Sequence, residues 1–253
     1  MKYKDILLTG ASGRLGQAIV QSKCFPSLLS PSRKSLDITK PTTIEAFFSS
    51  NDVGAVIHCA ALARMAECEK SPIKAISTNI IGTANLAVEV LKKEKILKKK
   101  IRFVHISSDA VYPGRRGNYS EKDETIPYNK YGWSKLGAEC VVNLLSNFCI
   151  IRTSFFDPKN IKFSASAIDA YSSKVTLSYL VKAIAEMLEN DFIGVINIGS
   201  ERKSDYRRYK EFNPLLKPTK LKEIIKGVPF KMPEDSSLDS KLWKEIKKSK
   251  RIK

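Results

Sequence analysis

Asp5-Ile6-Leu7-Leu8-Thr9-Gly10-Ala11-Ser12-Gly13-Arg14-Leu15-Gly16 passes from a short apolar run, through three glycines at three-residue spacing, into the helical pattern Leu15, Ala18, Ile19. A bare glycine triplet is usually an ordinary loop. Here the strand before it and the helix after it make the local shape of a nucleotide-binding turn. Glycine permits the tight turn and lets a pyrophosphate approach the backbone, while the helix N-terminus offers N–H groups and a partial positive charge. Gly10, Ser12, Gly13, Arg14, Leu15 and Gly16 are the candidate nucleotide-binding residues of this turn.

Strand and helix signals alternate beyond it. Strands are predicted near 5–9, 27–30, 53–59, 101–106, 148–152 and 194–198, and amphipathic helices near 14–22, 40–50, 72–93, 131–146 and 178–189. Pro41 and Pro72 stand where helices start. The run from Gly54 to Ala61 is apolar without alternation, as in a strand buried on both faces. This order predicts an α/β fold: a Rossmann-like, doubly wound parallel sheet. After about residue 155 the signal weakens. The expected organisation is a nucleotide-binding domain over 1–153, completed by about 178–199. A small discontinuous C-terminal lobe is expected from about 154–177 and 200–243, and a frayed basic tail over 244–253.

A second stretch, Tyr131-Gly132-Trp133-Ser134-Lys135, places a phenol and an ammonium on one face of a helix starting after Pro127. A cation beside a phenol favours phenolate. A hydroxyl from the upstream pair Ser107-Ser108 would complete a proton-transfer site for a carbonyl or alcohol. Alone, Y-x-x-x-K is more often a solvated helix face. The cofactor type is read after the second strand, in Leu28-Leu29-Ser30-Pro31-Ser32-Arg33-Lys34-Ser35. No carboxylate is present for ribose hydroxyls, whereas Arg33 and Lys34 suit a 2′-phosphate. That favours NADP(H), with NAD(H) left open. The plainer reading makes both cations solvated loop charges.

Together these motifs resemble the extended short-chain dehydrogenase/reductase family over most of the chain. The resemblance rests on Thr9–Gly16, on His58-Cys59-Ala60-Ala61, and on Asn79 followed by Gly82-Thr83-Ala84-Asn85-Leu86-Ala87. It continues through Ile106-Ser107-Ser108-Asp109-Ala110-Val111-Tyr112-Pro113-Gly114 and the Tyr131/Lys135 helix. Leu36-Asp37-Ile38-Thr39 and the segment from Tyr119 to Gly132 resemble its dTDP-4-dehydrorhamnose reductase branch.

The resemblance implies Tyr131 as catalytic acid/base, and Lys135 as the group that lowers its pKa and holds the nicotinamide ribose. It implies Ser108, four residues before Tyr112, as the third catalytic hydroxyl, with Ser107 structural. Asp37 with Ile38 would meet the adenine, Ala60, Ala61 and Leu62 would line the nicotinamide-ribose side, and Asn79 would lie near the active site. Ala110 separates the branches. Sugar-nucleotide 4,6-dehydratases carry glutamate there and the epimerase-reductases that make GDP-fucose carry cysteine; alanine does neither job. Asp109 reads as a local cap or orienter. The expectation is an NADP(H)-dependent reductase of a 4-keto-6-deoxy nucleotide-sugar. The alternatives are a nucleotide-sugar epimerase or dehydratase on the same scaffold, and a non-catalytic NADP-binding regulatory subunit, since the methionine adenosyltransferase regulatory subunit resembles this branch. Relatives often dimerise through the Y-x-x-x-K helix and the preceding helix, which leaves a homodimer open.

Composition bounds these readings. The 253 residues suffice for one α/β unit with a small satellite. The formal net charge of +18 points to anionic partners. Much of it lies in the lysine runs at 92–100 and 244–253, and no aromatic-basic stripe accompanies them, so nucleic acid is not the expected partner. No 18-residue apolar run predicts a membrane span. The start, Met1-Lys2-Tyr3-Lys4-Asp5, enters a strand almost at once, so no signal peptide is expected and the expected location is cytoplasmic. Cys24, Cys59, Cys68, Cys140 and Cys149 form no C-x-x-C pair and, with two histidines, no metal set. They are expected to be reduced thiols.

Overall fold

The computed structural model describes residues 2–250, so residues 251–253 of the expected tail lie outside the described residues. In chain order the first part comprises β1 (Ile6–Thr9), α1 (Arg14–Gln21), β2 (Leu28–Leu29), α2 (Pro41–Ser50), β3 (Ala55–His58), α3 (Met65–Lys70), α4 (Pro72–Ala75), α5 (Gly82–Leu97), β4 (Arg102–Ile106), α6 (Lys130–Val142) and β5 (Phe148–Thr153). The rest comprises β6 (Phe155–Phe156), β7 (Ala165–Ala167), β8 (Tyr171–Ser172), β9 (Val175–Thr176), α7 (Leu177–Leu188), β10 (Gly194–Ile198), β11 (Lys203–Ser204), α8 (Asp205–Lys210), β12 (Lys217–Thr219), α9 (Leu221–Ile225) and α10 (Lys241–Lys250).

Six strands form one parallel sheet in the order β2-β1-β3-β4-β5-β10. The chain leaves β1 toward one edge for β2 and returns on the other side for β3. The carboxyl ends of β1 and β3 therefore flank the switch point where such sheets bind ligands. Apolar side chains alternate between the two faces, and both faces are covered. Ile6 and Leu8 belong to one apolar cluster with Leu15, Ile19, Leu180, Ile184 and Trp243 of α1, α7 and α10. Leu7 packs with Ile44, Phe48, Leu86, Val90 and Val142 of α2, α5 and α6. Among the described residues no helix is long and apolar enough to cross a membrane.

Outside the sheet, β7 pairs with β12 and β8 with β11, so the stretches around 165–172 and 203–219 are joined by backbone hydrogen bonds. Bridges from Tyr171 to Asp235 and from Tyr119 to Leu238 tie the segment before α10 to both halves of the molecule.

Two local expectations change. The helix expected over 72–93 is α4, a π-helical turn over Ile76–Ile81 and then α5. The π turn inserts an extra residue and re-aims the side chains that follow it. The expected frayed tail is replaced, over its described part, by α10, whose Trp243 is 1% exposed. Trp243 Nε1 donates to the Tyr179 hydroxyl at 2.9 Å, and Lys247 lies over both rings. Leu242, Trp243 and Ile246 make one apolar edge of a helix whose other faces are lysine-rich, so the charge run is a solvated face and not a sign of disorder.

Candidate active site

Gly10 has a φ of +76°, and a Cβ there would lie 2.6 Å from the Ala60 nitrogen. A Cβ on Gly16 would lie 2.1 Å from the Gly10 carbonyl oxygen. The first glycine lets the ends of β1 and β3 converge, and the second lets α1 start hard against the turn. Gly13 caps α1 with no side-chain hydrogen bond and no acid in the first turn, which leaves the helix's first N–H groups for an anion.

A cleft of about 640 Å³ opens over this turn. Gly10, Ser12, Gly13, Arg33, Asp37, Ile38, Ala60 and Ala61 line it, together with Cys59 and Thr78. Arg14, Leu15, Gly16, Leu62 and Asn79 are not among its lining residues. Leu15 and Gly16 are buried against the sheet and the turn, and Arg14 points to solvent. Arg33 Nε donates to Asp37 Oδ2 at 3.1 Å, while the Thr39 nitrogen and hydroxyl donate to Asp37 Oδ1 at 3.0 and 2.7 Å. Burial pushes the Asp37 pKa up, but Thr39 and Arg33 outweigh it and leave the carboxyl below its ordinary range. Lys34 is exposed and off the cleft, so Arg33 alone of the two cations reaches it.

The catalytic candidates meet where β4 ends and α6 begins. Asn129 caps α6 by accepting from the Gly132 nitrogen at 2.8 Å. A Cβ on Gly132 would lie 2.2 Å from the Ala110 carbonyl oxygen, so the first turn of α6 rests directly on the short 3-10 turn Asp109–Val111. That contact brings Tyr131 to Ser108. Burial pushes the Tyr131 phenol up to about 12; its hydrogen bond with Ser108 pulls the other way, and Asp109 and Cys68 add to the rise.

Lys135 is directed elsewhere. Its Nζ donates to the Ile106 carbonyl at 2.8 Å and lies 3.3 Å from His105 Nε2. Burial brings the ammonium down to about 8, against the opposing pull of Glu139 and Cys59. The groups that move the Tyr131 phenol here are Ser108, Asp109 and Cys68 beside burial, and Lys135 is not one of them. The ammonium is held by β4, and its charge acts at Cys59 on the cleft floor.

Residues 4–177 match the family model described as the RmlD substrate binding domain. The chain belongs to this family. It is 30% identical over 155 residues to the dTDP-4-dehydrorhamnose reductase of Mycolicibacterium smegmatis, covering 59% of this chain and 45% of that one. It is 28% identical over 182 residues to methionine adenosyltransferase 2 subunit beta of Xenopus tropicalis, covering 68% and 53%. The chain thus spans about half the length of the curated relatives it matches. The dTDP-4-dehydrorhamnose reductase of Bacillus anthracis, solved in complex with NADP, superposes with a TM-score of 0.84 at 23% identity, covering 96% of this chain and 93% of that one. That last likeness is one of fold.

In this RmlD-domain chain three buried groups lie beneath the site, and of these His58 and Glu139 were not sequence candidates for it. Asn79, in the π turn, accepts from the Leu62 nitrogen at 2.7 Å and donates to the Leu62 carbonyl at 3.1 Å and the Ser134 hydroxyl at 2.7 Å. Its polar atoms hold the loop after β3 against α6, so it positions the site and does not face the cleft. His58 has a tautomer fixed by its partners. Thr83 Oγ1 donates to the Asn79 carbonyl at 2.6 Å and so accepts from His58 Nε2 at 2.9 Å; His58 Nδ1 then accepts from Thr9 Oγ1 at 2.6 Å. Burial, with Lys135 nearby, pushes His58 down to about 3, so the ring stays neutral. Glu139, one turn after Lys135, accepts from Ser107 and from Arg152 Nη2, the latter at 2.7 Å, and Arg152 Nη1 donates to the Tyr112 hydroxyl at 2.8 Å. The spacing of Lys135 and Glu139 along one helix face was the available clue.

Proposed function

We propose that the protein is an NADP(H)-dependent reductase of a 4-keto-6-deoxy nucleotide-sugar, with Tyr131 as proton donor. The observation that carries this reading is the contact of Gly132 with Ala110, which sets Tyr131 against Ser108 one helical turn before Lys135, whose charge acts at Cys59 in the glycine-turn cleft. The turn fits a dinucleotide: Gly10 and Gly16 leave no room for side chains, and the α1 N-terminus is uncapped. When bound, the nicotinamide cofactor supplies hydride to the sugar carbonyl carbon. Tyr131 gives its phenolic proton to the developing alkoxide, and Ser108 donates a hydrogen bond to the same oxygen. Burial keeps the phenol protonated, so the proton to be given is in place before substrate arrives. Asp37 and Arg33, both on the cleft, would hold the adenine and the ribose phosphate of the cofactor. The relatives named as reductases support the same substrate class.

Arg33→Ala with Lys34→Ala is expected to weaken NADPH binding by about tenfold more than NADH binding, as loss of a charge-assisted contact to phosphate would. Arg33→Ala alone should carry most of that difference, because Lys34 lies off the cleft. Equal weakening of the two cofactors in a titration would return Arg33 to the surface charges.

Ala110 is fully buried, and its methyl offers no base. The protein is therefore expected to reduce a 4-keto-6-deoxy nucleotide-sugar in the presence of NADPH, and to leave dTDP-glucose or UDP-glucose intact with NAD. Loss of water from either hexose nucleotide, seen by mass, would move the function to a dehydratase. A second reading, a partner subunit, is favoured by the longer alignment with methionine adenosyltransferase 2 subunit beta. NADPH binding without turnover on any keto-sugar nucleotide would select it.

A further inference from the structure

Asp109 is 6% exposed at the head of the 3-10 turn after β4. Its two oxygens serve distant parts of the chain. Ser108 Oγ donates to Oδ1 at 3.1 Å, and Ser236 Oγ, from the segment before α10, donates to Oδ2 at 2.8 Å. Ser108 Oγ also accepts from the Ala110 nitrogen at 3.2 Å. A hydroxyl has a single proton. While that proton points at Asp109, Ser108 offers a reacting oxygen only lone pairs, and it cannot donate to a carbonyl or an alkoxide. The role given above to Ser108 needs the opposite direction.

We propose that Asp109 is a positioning residue that sets the direction of the Ser108 hydroxyl. As carboxylate it accepts from Ser108; as carboxylic acid it donates to Ser108, and only then is the Ser108 proton free for the substrate oxygen. Ser236 fixes Oδ2, so Oδ1 is the oxygen left for Ser108. This proposal rests on the reductase reading. It moves no proton out of the pair: Asp109 and Ser108 each keep their own, and the alkoxide takes the proton of Tyr131.

The surroundings favour the acid form. Burial raises the Asp109 pKa above the carboxylate range; Ser236, Lys174 and Ser108 oppose the rise, and Asp205 reinforces it. The charged and titratable groups facing Asp109 are Lys174, just before β9, Asp205 at the start of α8, Tyr131 on α6 and Tyr128 just before it. Lys174 Nζ donates to both Asp205 oxygens, at 3.0 and 2.8 Å, so its charge is already matched. Because the acid form is the productive one, reduction should fall as pH rises through the Asp109 midpoint.

The test follows the carboxyl carbons of the full chain, labelled with carbon-13 at aspartate, by NMR across pH. The Asp109 signal is assigned by its loss in Asp109→Asn. The expected result is a midpoint above the ordinary carboxylate range, with the acid-form plateau displaced in Ser108→Ala because the acid donates to that hydroxyl. A midpoint in the ordinary range, or an acid plateau that Ser108→Ala leaves in place, overturns the proposal whether or not the protein reduces any sugar. In turnover, an amide donates to Ser108 as the acid does. Asp109→Asn should therefore exceed Asp109→Ala by about tenfold, the scale of one lost hydrogen bond in a reacting geometry. Asp109→Asn should also lose the wild-type fall with pH; an unchanged fall overturns the proposal. If no chain, wild type included, turns over a keto-sugar nucleotide, the reductase reading fails while the NMR arm still decides the Ser108–Asp109 linkage.

Discussion

Tyr131→Phe removes turnover by about 10²–10⁴-fold, the range for loss of a positioned general acid, and leaves NADPH binding close to wild type. The separation follows from where the phenol sits. Tyr131 stands against Ser108 at the start of α6, whereas the cleft over the glycine turn is lined by the end of β1, the loops after β1, β2 and β3, and Thr78. Phenylalanine keeps the ring, so the packing of α6 on the 3-10 turn survives. Absorbance at the nicotinamide band with a keto-sugar nucleotide measures the rate, and a binding titration measures the cofactor. Near-normal turnover in the variant would sink the assignment of Tyr131 as proton donor.

Glu139→Ala is the expected large effect on stability. Glu139 and Arg152 side chains are 2% and 7% exposed, and the carboxylate also accepts from Arg152 Nε at 3.1 Å on each oxygen. Removing it leaves a guanidinium buried without its counter-charge and Ser107 without its acceptor. The loss should be about 3–5 kcal/mol in denaturant-induced unfolding. Replacing the pair together, Glu139→Leu with Arg152→Met, should recover a large part of that loss, because no unpaired charge then remains. A single-variant loss below 1 kcal/mol would mean that water reaches Arg152 and the pair is not isolated.

The sheet was legible in the sequence because its signals are local. Residues 6–9, 55–57 and 148–151 are unbroken apolar or β-branched runs, and a strand buried on both faces needs little more. The glycine turn is equally local: what makes Gly10 and Gly16 necessary is their distance from atoms of the same turn and of the adjoining strand. Ser108, Tyr131 and Lys135 were readable as residues, but the partner of Lys135 was not. Whether an ammonium meets a phenol on its own helix or a carbonyl on β4 depends on how two elements dock, and spacing along α6 is silent about that. Asn79 fails for the same reason, since its three hydrogen bonds go to Leu62 and Ser134 from a π turn that no periodicity announced. In α10 the lysines hid the stripe of Leu242, Trp243 and Ile246, because mean charge was read where period mattered.

The placement of α10 has a consequence for the order in which the molecule is built. The face of the sheet covered by α2, α5 and α6 is clothed by helices that all end before residue 143. On the opposite face α1 is in place early, while α7 and α10 with Trp243 follow only after β5. A chain emerging N-terminus first thus has its second layer covered by α1 alone until α7 and α10 are made, α10 roughly a hundred residues of synthesis after α6, about 5–20 s at ordinary elongation rates. The later step docks α10 on β10 and α7, and the layer left open until then is where self-association competes with folding.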